Sequence, residues 1–107
     1  MSLLKGTLDV LVLKALTWGP RHGFEIISWL DERSDGRLNV TDAALLQAVH
    51  RMEARKLVTA QWGVTANGRR ARYYRLTATG RETLRAESAA LVDHVTALTT
   101  VLTARRA

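Results

Sequence analysis

The sequence predicts a mainly α fold with a small β-hairpin: three helices, the hairpin, then one long helix. Three observations carry that prediction. Apolar residues recur at helical spacing in three stretches between residues 3 and 56 and again from residue 84 to residue 102. The period falls to two between residues 58 and 77, on either side of an Asn-Gly pair. Chain breakers stand between the periodic stretches, as Trp18-Gly19-Pro20 and Ser34-Asp35-Gly36.

The first helix is expected over residues 3–17, with Leu4, Leu8, Leu11, Val12, Ala15 and Leu16 on one face and Lys5, Asp9 and Lys14 elsewhere. Proline ends it. The second is expected from His22 to Arg33, its stripe being either Phe24, Ile27 and Leu30 or Ile26, Trp29 and Leu30. Residues 37–40 read as short and extended. Thr41 and Asp42 are N-cap residues for a third helix reaching Lys56. Its core face is Leu45, Ala48, Val49 and Met52, and its opposite face is Ala43, Gln47, His50, Arg51 and Ala54.

In the hairpin, Val58, Ala60, Trp62 and Val64 alternate with polar or small residues, and Ala71–Thr77 is the returning strand. Tyr73 and Tyr74 face opposite sides; Tyr74 shares parity with Leu76 and is the one expected to be buried. Trp18, Trp29 and Trp62 are expected in the core. Thr79 and Glu82 form a capping-box pattern for the last helix, which runs to about Ala104. Along it Leu84, Leu91 and Leu98 repeat every seven residues, as do Ser88, Val95 and Leu102. A helix of that length, about 37 Å, outruns a body of this size, so a second copy is expected to cover it.

Charge is concentrated. The 107 residues carry a net +6, and residues 51–75 hold seven basic side chains against Glu53 alone. Such a field attracts a polyanion, chiefly through phosphates. Three helices followed by a two-stranded wing make a winged helix-turn-helix, whose third helix enters a DNA major groove while the wing reaches the neighbouring backbone. The charge falls at those two places, on His50, Arg51 and Arg55 and on Arg69, Arg70 and Arg72. Gln47 adds an amide suited to adenine.

The absence of cysteine excludes a disulfide scaffold and thiolate metal sites. His22, His50 and His94 lie on three different helices with no convergent spacing, so no metal is expected. No phosphate loop or nucleophile elbow is present, so neither an enzyme nor a cofactor is expected. No apolar run approaches a membrane span, and a cytoplasmic location is expected.

The residues resemble a known family. LLKGTLDVLVLKAL and WGPRHGFEI, AVHRMEARKLV, and above all GRRARYYRLTATGRETL are similar to the PadR family of bacterial transcriptional regulators. The resemblance implies a homodimer on double-stranded DNA, usually a repressor, built in the short form with a single C-terminal helix. It also implies a small-molecule effector near the dimer interface in some members. The chain departs from the family's GSLYP pattern, with Ala43, Ala44, Leu45, Leu46 and Gln47 at those positions, and from its glycine before the wing, which is Lys56 here. The resemblance implies that two hydroxyl contacts to DNA are lost here.

The expected organisation is a winged helix-turn-helix DNA-binding domain over residues 1–77 and a C-terminal dimerisation helix over residues 78–107. Gln47, His50 and Arg51 are expected to read or flank bases. Arg55 and Lys56 are expected to hold phosphates, and Arg69, Arg70 and Arg72 to anchor the wing. Leu84, Leu91, Val95, Leu98 and Leu102 are expected to hold the dimer on a pseudo-palindromic operator. A degenerate winged helix serving as a protein-interaction dimer, or a non-specific nucleic-acid binder, is the alternative.

Overall fold

The computed structural model describes residues 2–107, with side chains described from residue 6 onward; Leu4 of the predicted stripe lies outside the described side chains. The described residues form α1 (Ser2–Ala15), β1 (Arg21–His22), α2 (Gly23–Arg33), α3 (Asp42–Ala54), β2 (Val58–Val64), β3 (Arg70–Leu76) and α4 (Ala78–Leu102). The strands make one antiparallel sheet in the order β1-β3-β2. β1 has two residues, too short to show any period in the sequence.

α1 lies at the centre of the molecule. Val10, Val12, Leu13, Ala15 and Leu16 are all buried, a wider apolar surface than the predicted stripe, which included neither Val10 nor Leu13. A helix covered on most sides reads as hydrophobic nearly all round. Arg21 caps it by donating from Nε to the Ala15 carbonyl at 2.8 Å. α2 contributes Ile26 and Leu30, with Ile27 and Trp29 packed against the core, and leaves Phe24 in solvent. The Ile26 stripe is therefore the one used.

α2 opens on a capping box. The backbone N–H of Glu25 donates to the His22 ring at 3.4 Å, and the His22 N–H donates to the Glu25 carboxylate at 3.1 Å. α3 opens on Thr41, whose hydroxyl accepts from the Ala44 N–H. Its inward face is the predicted one, Leu45, Ala48, Val49 and Met52. It stops at Ala54, two residues earlier than the spacing suggests, because Lys56 turns left-handed at φ 60°. The Leu57 N–H then reaches the Met52 carbonyl and the Lys56 N–H the Glu53 carbonyl, closing a Schellman motif over buried Leu57 and Met52.

β2 and β3 pair from Val58↔Leu76 to Val64↔Arg70. At the tip the Gly68 N–H donates to Thr65 O and the Thr65 N–H to Arg69 O. Gly68 takes a positive φ of 79° and Asn67 does not, as in a three-residue hairpin loop closed by a left-handed glycine. Tyr74 is buried beside Leu76, as its parity requires.

Two of the three tryptophans contradict their predicted place. Trp18 is exposed and leans on Trp29, with ring centroids 5.7 Å apart, in the turn before Pro20, past Leu16, the last core residue of this stretch. Trp62 is 58% exposed. It shares its face with Val58 and Ala60, but the hairpin runs past the body beyond Ala60, so the same face is open at Trp62 and Val64. Alternation tells which way a side chain points and not where the core stops.

The start of α4 also differs. Its N-cap is Thr77 and not Thr79. The Thr77 hydroxyl accepts from the Gly80 N–H at 2.9 Å and lies 2.8 Å from the Lys56 carbonyl and 3.1 Å from that of Leu57. The Thr77 N–H donates to Leu57 O as well. Gly80 allows this approach: a Cβ there would stand 2.0 Å from Leu57 O. The junction between wing and last helix is thus locked onto the junction between α3 and the wing.

Candidate nucleic-acid interface

α2 and α3 form the helix-turn-helix, and α3 turns Ala43, Leu46, Gln47, His50 and Ala54 to solvent. Ala43, Gln47, His50 and Ala54 recur every three to four residues and so form one outward stripe, with Leu46 on its flank. Small residues at Ala43 and Ala54 let a partner approach the helix closely.

The basic side chains divide into two groups. Arg51 forks onto Asp9, Nη2 to Oδ1 at 2.6 Å and Nε to Oδ2 at 3.3 Å. That hydrogen bond pushes the guanidinium above its ordinary pKa, with burial working against it. Arg72 reaches Glu53 at 3.2 Å, and Arg55 reaches Glu87 at 3.6 Å. These pairs tie α1 to α3, β3 to α3 and α3 to α4. Lys56, Arg69, Arg70 and Arg75 have no acidic partner among the described residues. Arg51, Arg55 and Arg72 thus spend charge within the chain, through partners 42, 32 and 19 residues away that no local pattern reveals.

Two of these, Arg69 and Arg70, sit at the wing tip. Arg70 stacks on Trp62, its guanidinium carbon 4.7 Å from the ring centroid, with Arg72 at 5.8 Å on the same ring. The exposed indole therefore orders the arginines of the wing and does not fill the core. On the other face Tyr73 packs over Gly63, where a Cβ would meet its ring at 2.7 Å, and makes an edge contact with His22 at 5.3 Å. Between the start of α2, α3 and the wing tip lies a hollow of about 730 Å³, lined among others by Phe24, Leu46, Val49, Arg69 and Arg70. Phe24 is 75% exposed there. Its helical spacing also suits a core stripe, so the sequence alone leaves its place open.

The sequence pattern of the transcriptional regulator PadR-like family matches residues 12–86. The chain belongs to the PadR-like family. Members of this family are transcriptional regulators and not enzymes. Similar solved structures show the same fold. A transcriptional regulator from Clostridium thermocellum superposes with a TM-score of 0.81 at 20% identity, over 94% of each chain. A PadR-like transcriptional regulator from Bacillus cereus gives 0.80 at 21% identity, over 98% of this chain and 100% of that one. PadR of Bacillus subtilis, solved in complex with operator DNA, gives 0.64 at 18% identity, over 73% of this chain and 44% of that one.

The PadR-like match ends at residue 86, two residues beyond Leu84. Leu84 is buried in the core of its own chain, and Leu91 packs against that core. Of the five apolar residues expected to face a second copy, only Val95, Leu98 and Leu102 are exposed, together with Val92 and Val101. The reason is the Thr77–Gly80 lock, which lays the first turns of α4 on the body. No helix among the described residues is long and apolar enough to cross a membrane.

Proposed function

We propose that this PadR-like regulator is a homodimeric, sequence-specific DNA-binding repressor. α3 lies in the major groove, with Gln47 and His50 at base edges. Arg69, Arg70 and Lys56 hold phosphates. Arg51, Arg55 and Arg72 orient the elements that carry these contacts, and residues 78–107 supply the dimerisation helix for a body formed by residues 1–77. Repression is steric exclusion of polymerase, relieved when an effector seated between α1 and α4 alters half-site spacing.

One observation carries the reading: within the basic stretch 51–75, the cations without acidic partners, Lys56, Arg69, Arg70 and Arg75, stand on the wing and its hinge, beside an outward stripe of α3 that holds an amide and an imidazole. Phosphate contacts position a protein on a duplex and base-edge contacts specify it. The Bacillus subtilis PadR–operator complex supports the same use of this fold.

The test is binding to the DNA upstream of the protein's own gene and to a scrambled duplex at two salt concentrations. A preference of about a thousandfold or more with salt dependence is expected. Arg69→Glu with Arg70→Glu is expected to weaken binding to every duplex and to lower the salt slope by about two per subunit, one for each lost phosphate contact. Equal affinity for selected and unrelated duplexes would identify a non-specific binder, and no binding at low salt a protein-interaction dimer.

A further inference from the structure

Leu46 has no structural duty. It is 51% exposed on α3, outside the core cluster, and stands between the apolar hollow and Gln47. The acidic groups nearby do not call for it: Glu25 accepts from the His22 backbone, and Asp42 lies in the first turn of α3. The unpaired cations that line the hollow, Arg69 and Arg70, are on the wing tip, and none of the side chains at its α3 wall is basic. A leucine makes no hydrogen bond to a phosphate, and pressing one against a charged oxygen only desolvates it. What an apolar knob does find in a major groove is the C5 methyl of thymine, the apolar group that base edges present there. The amide of Gln47, one residue on, matches the N6 and N7 atoms of adenine.

We propose that Leu46 is a specificity-determining residue that reads a thymine methyl, at or beside the adenine paired with Gln47, so that the recognised half-site carries A·T pairs beneath the start of α3. The proposal rests on the DNA-binding reading above. It replaces hydroxyl contacts with a contact that depends on one methyl group of the partner.

A preferred duplex is selected from a randomised pool with the full chain, and each thymine is then replaced in turn by deoxyuridine, which removes the methyl alone. One thymine per half-site is expected to lose about fourfold in affinity on replacement, the worth of one buried methyl group. Leu46→Ala is expected to bind the thymine and deoxyuridine duplexes equally, with its thermal midpoint unchanged. Gln47→Ala is expected to lose the preference for adenine while keeping the methyl dependence. A duplex in which no thymine methyl matters, or a methyl dependence that survives Leu46→Ala, overturns the proposal. Absence of salt-dependent binding to any duplex is a different result, and overturns the DNA-binding reading together with it.

Discussion

Lys56 occupies a left-handed backbone position, φ 60°, at the end of α3. This is the place where the Schellman motif favours glycine, and where a side chain costs roughly 1–2 kcal/mol. Glycine would recover that strain but lose about 0.5–1 kcal/mol to its greater freedom in the unfolded chain. The balance is a gain of about 0.5–1 kcal/mol for Lys56→Gly. The lysine that bears this strain is one of the cations without an acidic partner, at the hinge between α3 and the wing. The phosphate contact proposed for Lys56 would offset that strain. Lys56→Gly is expected to raise the urea midpoint and at the same time reduce the salt slope of DNA binding by about one per subunit. A variant that is less stable, or that binds with an unchanged slope, would separate the residue from that role.

At the scale of elements, two glycines in helices predict opposite outcomes. Gly6 in α1 has nothing within 4 Å of a built Cβ among the described residues, whereas at Gly80 in α4 the Cβ meets the Leu57 carbonyl at 2.0 Å. Gly6→Ala is expected to stabilise the chain by about 0.5–1 kcal/mol. Gly80→Ala is expected to cost about 2–4 kcal/mol, because the obstacle is backbone and the wing hinge must move with α4. Denaturant titration of the two variants side by side checks both signs. The same junction shows what a sequence can and cannot disclose. The inward face of α3 and the burial of Tyr74 follow from periods of 3.6 and 2, which are local. The N-cap of α4 does not, since Thr77 and Thr79 are equally good caps and the choice is made by carbonyls of Lys56 and Leu57 some twenty residues away. The Arg51–Asp9 fork is hidden for the same reason. Gln47 and His50 were legible as an outward surface of α3, but the exposure of Leu46 and which arginines remain free were not, because flank exposure and ion pairing are tertiary.

The whole molecule is elongated, 58 × 29 × 24 Å, and the distal half of α4 is exposed at every residue from Val92 onward. The apolar side chains there have no support from the body, which reaches only as far as Leu91. The hydroxyls of Thr96, Thr100 and Thr103 each donate to the carbonyl four residues back, so they place no polar demand on a covering surface. A second copy of the same helix supplies apolar contact of this kind, and an interface of two identical patches closes on itself. Val95 and Leu98 sit at the middle of this stretch without touching the body's core. Val95→Asp with Leu98→Asp is therefore expected to leave the winged-helix body as stable as before but to give monomers in sedimentation at micromolar concentration. Two linked half-site contacts exceed one by roughly 10²–10⁴ in apparent affinity, so the monomer should lose about that factor on a palindromic duplex and very little on a single half-site. Dimers that persist in the double variant would move the interface to another face of the molecule, and an equal loss on both duplexes would mean that the substitutions had disturbed the DNA-binding body itself.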